Sequence, residues 1–147
     1  MGAAAQKLKY ATQISGIKGC PPPALSPPKT GTAFRFAWSD KNALKNFVPP
    51  ALIDPSRLIG GTPINMCCRY FALSFFTTLD NLRLRATNGL KTNPNLLKLL
   101  GDHFLEAQLD GACGLATQPS DSGHFGLFEF DSFKLKSAVL KHEPLGI

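Results

Sequence analysis

The sequence predicts a single α+β domain with a mainly antiparallel sheet and about three short helices, preceded by a Pro-rich basic tail. The chain of 147 residues is 44% hydrophobic and 18% charged, the balance of a globular protein long enough to bury a core. Short aromatic-rich segments and a few segments of helical spacing follow one another in the order β-α-β-α-α-β-β-β. Five of the twelve prolines fall within the first 32 residues, which sets this stretch apart.

The tail is predicted to span residues 1–31 and to be flexible, with the α+β domain covering residues 32–147. Its five prolines lie within residues 20–28, and such a run favours an extended, solvated backbone. An alternative is that residues 3–17 form a short basic helix on a surface. The composition favours a mobile leader or linker.

The domain is predicted to begin with a strand, a helix and a second strand. Residues 33–38 are rich in aromatic side chains and alternate in character, as strands do. A helix is expected over residues 41–47, because Ser39 or Asp40 can cap it and a Pro-Pro pair follows it. The aromatic stretch 68–76 is predicted to be a central strand.

Two further helices are expected after the central strand. Residues 79–88 place leucine and alanine at helical spacing, two threonines precede them as possible caps, and Gly89 is expected to end the helix. Asn93 and Pro94 are expected to start the next helix, and Gly101 to close it.

The last third of the chain is predicted to be sheet. Residues 103–109 are a strand candidate that ends in an Asp-Gly turn. Residues 114–123 are expected to form a loop, followed by an aromatic strand over 124–130 and a final strand over 133–140.

The charge is divided between two parts of the chain. Residues 1–101 carry 13 Lys and Arg against three acids, and residues 102–147 carry seven acids against three Lys. This indicates an anionic partner for the first part, or pairing between the two parts. The residues expected to neutralise such a partner are Arg69, Arg83, Arg85, Lys91 and Lys98.

The leading functional prediction is therefore a small, non-catalytic binding module for an anionic partner, either nucleic acid or an acidic protein surface. The chain carries neither the RNP nor the zinc-finger pattern of nucleic-acid-binding domains. The simpler alternative is that these cations form a solvated surface. Composition leaves the oligomeric state open.

Four cysteines and the lack of long apolar stretches bear on location. None of the cysteines forms a C-x-x-C pair, and the N-terminus lacks the apolar core of a secretory signal. We therefore expect free thiols in the reducing cytoplasm. No apolar run approaches the roughly 18 residues that span a bilayer, so no membrane span is predicted.

An alternative, catalytic function is suggested by Arg35, Ser74 and Glu129, each of which interrupts an aromatic strand. If the three strands point these side chains into one cleft, their order resembles that of the arginine–serine–glutamate class of ADP-ribosyltransferases. The resemblance implies that Arg35 binds NAD, Ser74 orders the site and Glu129 is catalytic. Otherwise, strand alternation turns all three toward water, opposite a Phe-lined core.

His103, Glu106 and His124 are the residues that could ligate a metal ion, since two imidazoles and a carboxylate suit zinc or iron. Their spacing matches no metal motif, and on a strand His103 and Glu106 would point to opposite faces. No metal and no cofactor are therefore predicted, apart from NAD under the catalytic alternative.

Overall fold

The structure is a computed structural model that describes residues 6–147 as an antiparallel six-stranded sheet with five short α-helices. The helices are α1 (Ala11–Ile14), α2 (Pro50–Ile53), α3 (Leu79–Leu90), α4 (Leu96–Leu100) and α5 (Leu135–Ala138). The strands are β1 (Gly31–Ala37), β2 (Leu58–Ile59), β3 (Thr62–Pro63), β4 (Leu73–Phe76), β5 (His103–Leu109), β6 (Gly114–Ala116), β7 (His124–Glu129) and β8 (Val139–Pro144). The main sheet has the order β6-β7-β4-β1-β5-β8, and β2 pairs with β3 separately. The α+β prediction is confirmed, with five helices where about three were expected.

Side-chain alternation along β1 defines the two faces of the sheet. Arg35 and the alanines at alternate positions beside it are buried on one side, while Phe34 and Phe36 point to the other. The first side packs with Leu135 of α5 and is named the α5 face. The second packs with Leu82 of α3 and is named the α3 face. Both faces are covered, so the core has a layer on each side of the sheet.

Helix α3 forms as the sequence predicts, because Thr78 accepts a hydrogen bond from the backbone N–H of Asn81 and caps its first turn. Its buried side chains are Leu82 and Ala86, four residues apart and therefore on one side of the helix. The helix continues through Gly89 rather than ending there. A side chain at Gly89 would overlap Leu96 of α4, so this glycine lets the two helices approach each other.

Several boundaries differ from the prediction because side-chain hydrogen bonds and strand pairing compete with local propensity. Residues 68–71 form a 3-10 turn before β4, and only the turn Leu44–Asn46 forms within 41–47. The side chain of Asn46 accepts a hydrogen bond from the backbone N–H of Trp38 and donates one to the carbonyl of Trp38. These two bonds favour a tight turn over a longer helix.

In the last third, residues 114–116 pair with β7 as β6 instead of forming a loop. The predicted strand over 133–140 is instead α5 followed by the start of β8, which continues to Pro144.

Residues 6–30, named the leader segment, contact the domain at several points, which differs from the flexible tail predicted from composition. Ile14 is buried, Leu8 forms a β-bridge with Phe130, and Ser26 forms one with Ala116. Within the proline run Ser26 pairs with Ala116 of β6, while most residues of 21–30 are exposed. Residues 1–5 of the predicted tail lie outside the described residues.

The prediction that all four thiols are free is corrected. Cys20 of the leader segment and Cys68 form a disulfide across 48 residues of sequence, while Cys67 and Cys113 remain free. The cytoplasmic location rested on free thiols and stays a prediction. Among residues 6–147, no helix is long and apolar enough to cross a membrane.

Candidate functional sites

Arg35 lies in the middle of β1 on the α5 face and is only 6% exposed. Its Nε donates to the carbonyl of Asn46 at 3.2 Å, Nη1 to that of Ser74 at 3.2 Å, and Nη2 to that of Val48 at 2.8 Å. Burial lowers the pKa of Arg35 to about 10, although the charge of Glu129 opposes this shift. All three bonds end on main-chain oxygens, so the guanidinium fastens the 46–48 loop to the sheet.

Glu129 ends β7 and is 2% exposed. Lys9 donates to its Oε1 at 3.0 Å and also to the carbonyl of Phe133 at 2.6 Å. Oε2 has no hydrogen-bond partner among the described residues. Burial raises the pKa of Glu129 above its ordinary value, even though Lys9 and Arg35 both act to lower it. The lack of a partner for Oε2 adds to the cost of burying the charged carboxylate.

Tyr10 of the leader segment is half-buried and lies close enough to Glu129 and Arg35 for their charges to act on it. Burial raises its pKa to about 12, the negative charge of Glu129 adds to this shift, and Arg35 opposes it. The adjacent residue Lys9 forms the ion pair with Glu129. Lys9 of the leader segment therefore covers the carboxyl group of Glu129, while the 46–48 loop covers the guanidinium of Arg35.

Ser74 lies on the opposite side of the sheet from Arg35 and Glu129, so the predicted convergence of the three side chains is wrong. Phe34 pairs with Phe76 across β1 and β4, and paired residues share a face. Ser74 is two residues from Phe76 and so points to the α3 face. Only its carbonyl oxygen reaches Arg35. Arg35 and Glu129 share the α5 face and their charges interact, but the side chain of Ser74 does not join them.

A polar pair that the sequence did not predict joins Ser74 to His124 on the α3 face. The Oγ of Ser74 and the Nε2 of His124 are 2.7 Å apart, and the Phe76 ring lies edge-on to the imidazole. Burial lowers the pKa of His124, and the charge of Arg85 on α3 lowers it further. The pair depends on the register of β4 against β7, which no local pattern in the sequence encodes.

The three candidate metal ligands do not come together. His124 lies on β7 and His103 on β5, with β4 and β1 between them. Three strand spacings of about 4.8 Å separate them. His103 instead lies 2.7 Å from Asp102 through its Nδ1. Within residues 6–147, no group of three potential ligands is close enough to hold a metal ion.

The five cations predicted to bind anions differ in their surroundings: two contact other groups of the protein, and three are exposed near α3 and α4. Arg83 donates to the carbonyl of Leu145 at 2.8 Å and holds the C-terminal segment. Arg69 stacks on its neighbour Tyr70. The other three, Arg85, Lys91 and Lys98, lie exposed on or beside α3 and α4. Residues 81–101 contain no acid.

A cavity of about 410 Å³ lies between the leader segment and the edge of the α5 face. Its inner wall includes Ala33, Leu109, Ala116 and Phe125, all of them buried. Residues 26–32 form its outer wall. Sequence reasoning missed it because the wall segment was assigned to a flexible tail.

The chain matches no family model, no curated protein and no solved structure.

Proposed function

We propose that the protein is a non-catalytic binding module that holds an anionic macromolecule against α3 and α4. Arg85, Lys91 and Lys98 form the centre of this surface and are named the basic surface. The single observation that supports it is the lack of acidic partners: within residues 6–147 the only ion pairs are Lys9–Glu129 and His103–Asp102. The basic surface therefore keeps its full positive charge for a ligand.

The surroundings of α4 extend the positive charge. Trp38 donates its indole N–H to the carbonyl of Lys98 at 3.3 Å, and the ammonium group of Lys45 lies 4.4 Å from the centre of the Trp38 ring. This places a fourth exposed cation beside α4. Phosphate or carboxylate groups that bind there would release counterions, which gives affinity without requiring an enclosed cleft.

The contacts of Arg35, Ser74 and Glu129 favour a structural role for these residues over the enzymatic alternative with NAD as co-substrate. Arg35 directs all three of its hydrogen bonds to carbonyl oxygens, and Ser74 faces away from it. Glu129 is bound by Lys9 and shielded from solvent.

The proposal is tested by fluorescence anisotropy with short single- and double-stranded oligonucleotides and with polyglutamate, at low and high salt. The variant Arg85→Gln/Lys91→Gln/Lys98→Gln should bind weakly, and for duplex DNA its log–log salt slope should fall by about 2–3 if all three cations contact phosphates. Preference for oligonucleotide or polyglutamate then identifies the class of partner.

The matched control is Lys7→Gln/Lys18→Gln/Lys134→Gln, which removes the same charge from exposed positions outside α3 and α4. It should retain most of the affinity. Equal losses in both triple variants would mean that only net charge attracts the ligand, and undetectable binding by the unmodified protein would reject the proposal.

A further inference from the structure

We propose that the cavity between the leader segment and the α5 face binds a small hydrophobic carboxylic acid. The inference concerns a different part of the molecule from the basic surface and does not depend on it. It rests on three features of the cavity: an apolar inner wall, an outer wall attached to the sheet, and a lining with one positive and no negative side chain.

The inner wall is apolar and rigid. Ala33, Leu109 and Ala116 are each no more than 5% exposed, so their side chains belong to the core. Phe125 stacks on Phe75 with ring centres 5.8 Å apart, which fixes its orientation. A flat or branched hydrocarbon group placed against this wall would lose its contact with water and gain packing contacts.

The outer wall is held in place before any ligand arrives. Ser26 and Ala116 exchange two backbone hydrogen bonds, of 3.0 and 2.7 Å, which attach the wall to β6. Pro27 and Pro28 follow immediately and have fixed φ angles. At its other end the wall continues into Gly31, the first residue of β1. Little conformational entropy would be lost on binding, because the wall is already attached at both ends.

The charge at the mouth favours an anionic group. The cavity lining contains one charged residue, Lys29, and no Asp or Glu. Lys29 is exposed and lies within ion-pair distance of no carboxylate in residues 6–147. Thr30, which is also exposed and belongs to the lining, adds a hydroxyl group beside it. A carboxylate at this rim could accept hydrogen bonds from these groups while its hydrocarbon part enters the cavity.

The volume limits the size of the ligand. A cavity of about 410 Å³ falls at the small end of the range for ligand-binding cavities. It suits one ring with a short chain. The ligand class is therefore an aryl- or branched alkyl-carboxylic acid with a single ring or its equivalent.

The experiment is an NMR titration of the intact ¹⁵N-labelled protein with 3-phenylpropanoate, 3-phenylpropanamide and 3-phenylpropylamine. These three probes share a ring and chain length and differ in charge. The acid should bind most tightly and the amine least, with shifts concentrated at the backbone amides of residues 29–33, 116–118 and 125. Mapping the shifts in the unmodified protein locates the site without relying on any variant.

Two pairs of variants test the assignment. Lys29→Gln should weaken binding of 3-phenylpropanoate by about two- to fivefold, which is the effect of one exposed charge. It should leave the affinity for 3-phenylpropanamide unchanged. Lys18→Gln, which changes an exposed cation outside the lining, should alter neither. Ala116→Leu should fill the cavity and abolish binding of all three probes, while Ala112→Leu at an exposed position outside this cavity should not.

Three outcomes would overturn the proposal. They are no saturable shift with any probe at millimolar concentration, shifts confined to the basic surface, and an amine that binds as tightly as the acid. If Ala116→Leu does not fold, the shift map and the Lys29→Gln comparison still decide the result.

Discussion

Glu129 shows how one buried side chain can make stability depend on pH. Its carboxyl group has one bond from Lys9 and one oxygen without a partner among the described residues, and burial raises its pKa. The folded state therefore holds the proton more tightly than the unfolded state does. Its contribution to stability is fully present below the ordinary pKa of a glutamate and is lost as pH rises through the raised value.

Glu129→Gln should remove this part of the pH dependence, because an amide does not titrate in that range. Urea unfolding from mildly acidic to neutral pH should show the unmodified protein losing stability relative to the variant as pH rises. Glu143→Gln, at an exposed carboxylate, is the control. Parallel stability curves for the unmodified protein and Glu129→Gln would contradict the expectation.

His124 is expected to respond to the charge on the neighbouring helix. Arg85→Gln removes one of the two causes that lower its pKa, so the value should rise toward that of an ordinary histidine while staying below it because of burial. Since the folded state disfavours the protonated imidazole, stability is lost as pH falls through this range.

A two-dimensional NMR titration of the His124 ring in unmodified protein and in Arg85→Gln measures this difference. Arg57→Gln, on an exposed loop, serves as the comparison. The interpretation would be rejected if both variants shifted the titration of His124 equally.

At the scale of elements, the end of α4 depends on Gly101. This residue has φ of 103°, and a side chain there would collide with the carbonyl of Ala37 in β1. Gly101→Ala should therefore destabilise the protein by about 1–3 kcal/mol in chemical denaturation. Gly16→Ala is a matched control, because its φ is not positive and a Cβ there meets nothing within 4 Å. Similar stability of the two variants would show that the collision relaxes at no cost.

Elements with strong local signals were predicted well, and elements defined by partners were not. The capping threonine and the buried Leu82 and Ala86 identify α3 from sequence because both act within one helix. Strand β6 has only three residues, and its identity depends on pairing with β7 on one side and Ser26 on the other. Such pairing joins residues that are far apart in the chain, so a short stretch of sequence cannot predict it.

At the scale of the whole molecule, the disulfide attaches the leader segment to the domain. Cys20 and Cys68 are separated by 48 residues, and the chain-entropy model gives about 4 kcal/mol for closing a loop of that size in the unfolded state. Cys20→Ser/Cys68→Ser should lower the free energy of unfolding by about this amount.

Denaturant unfolding of this double variant, beside the unmodified protein with and without reductant, tests the disulfide. Cys67→Ser, which changes the neighbouring free thiol, should have a much smaller effect. If reductant left the unmodified protein's stability unchanged, the disulfide would not contribute in this way.

The sequence by itself determined the α+β class, the α3 helix, several strands and the excess of positive charge before residue 102, because propensity, capping and composition act locally. Only the tertiary structure decided which polar side chains meet. It turned Ser74 away from Arg35 and toward His124, paired Lys9 with Glu129, and laid the leader segment over the cavity. The reason is that sheet order and register set the face and neighbours of each side chain, and both arise from contacts between residues far apart in sequence.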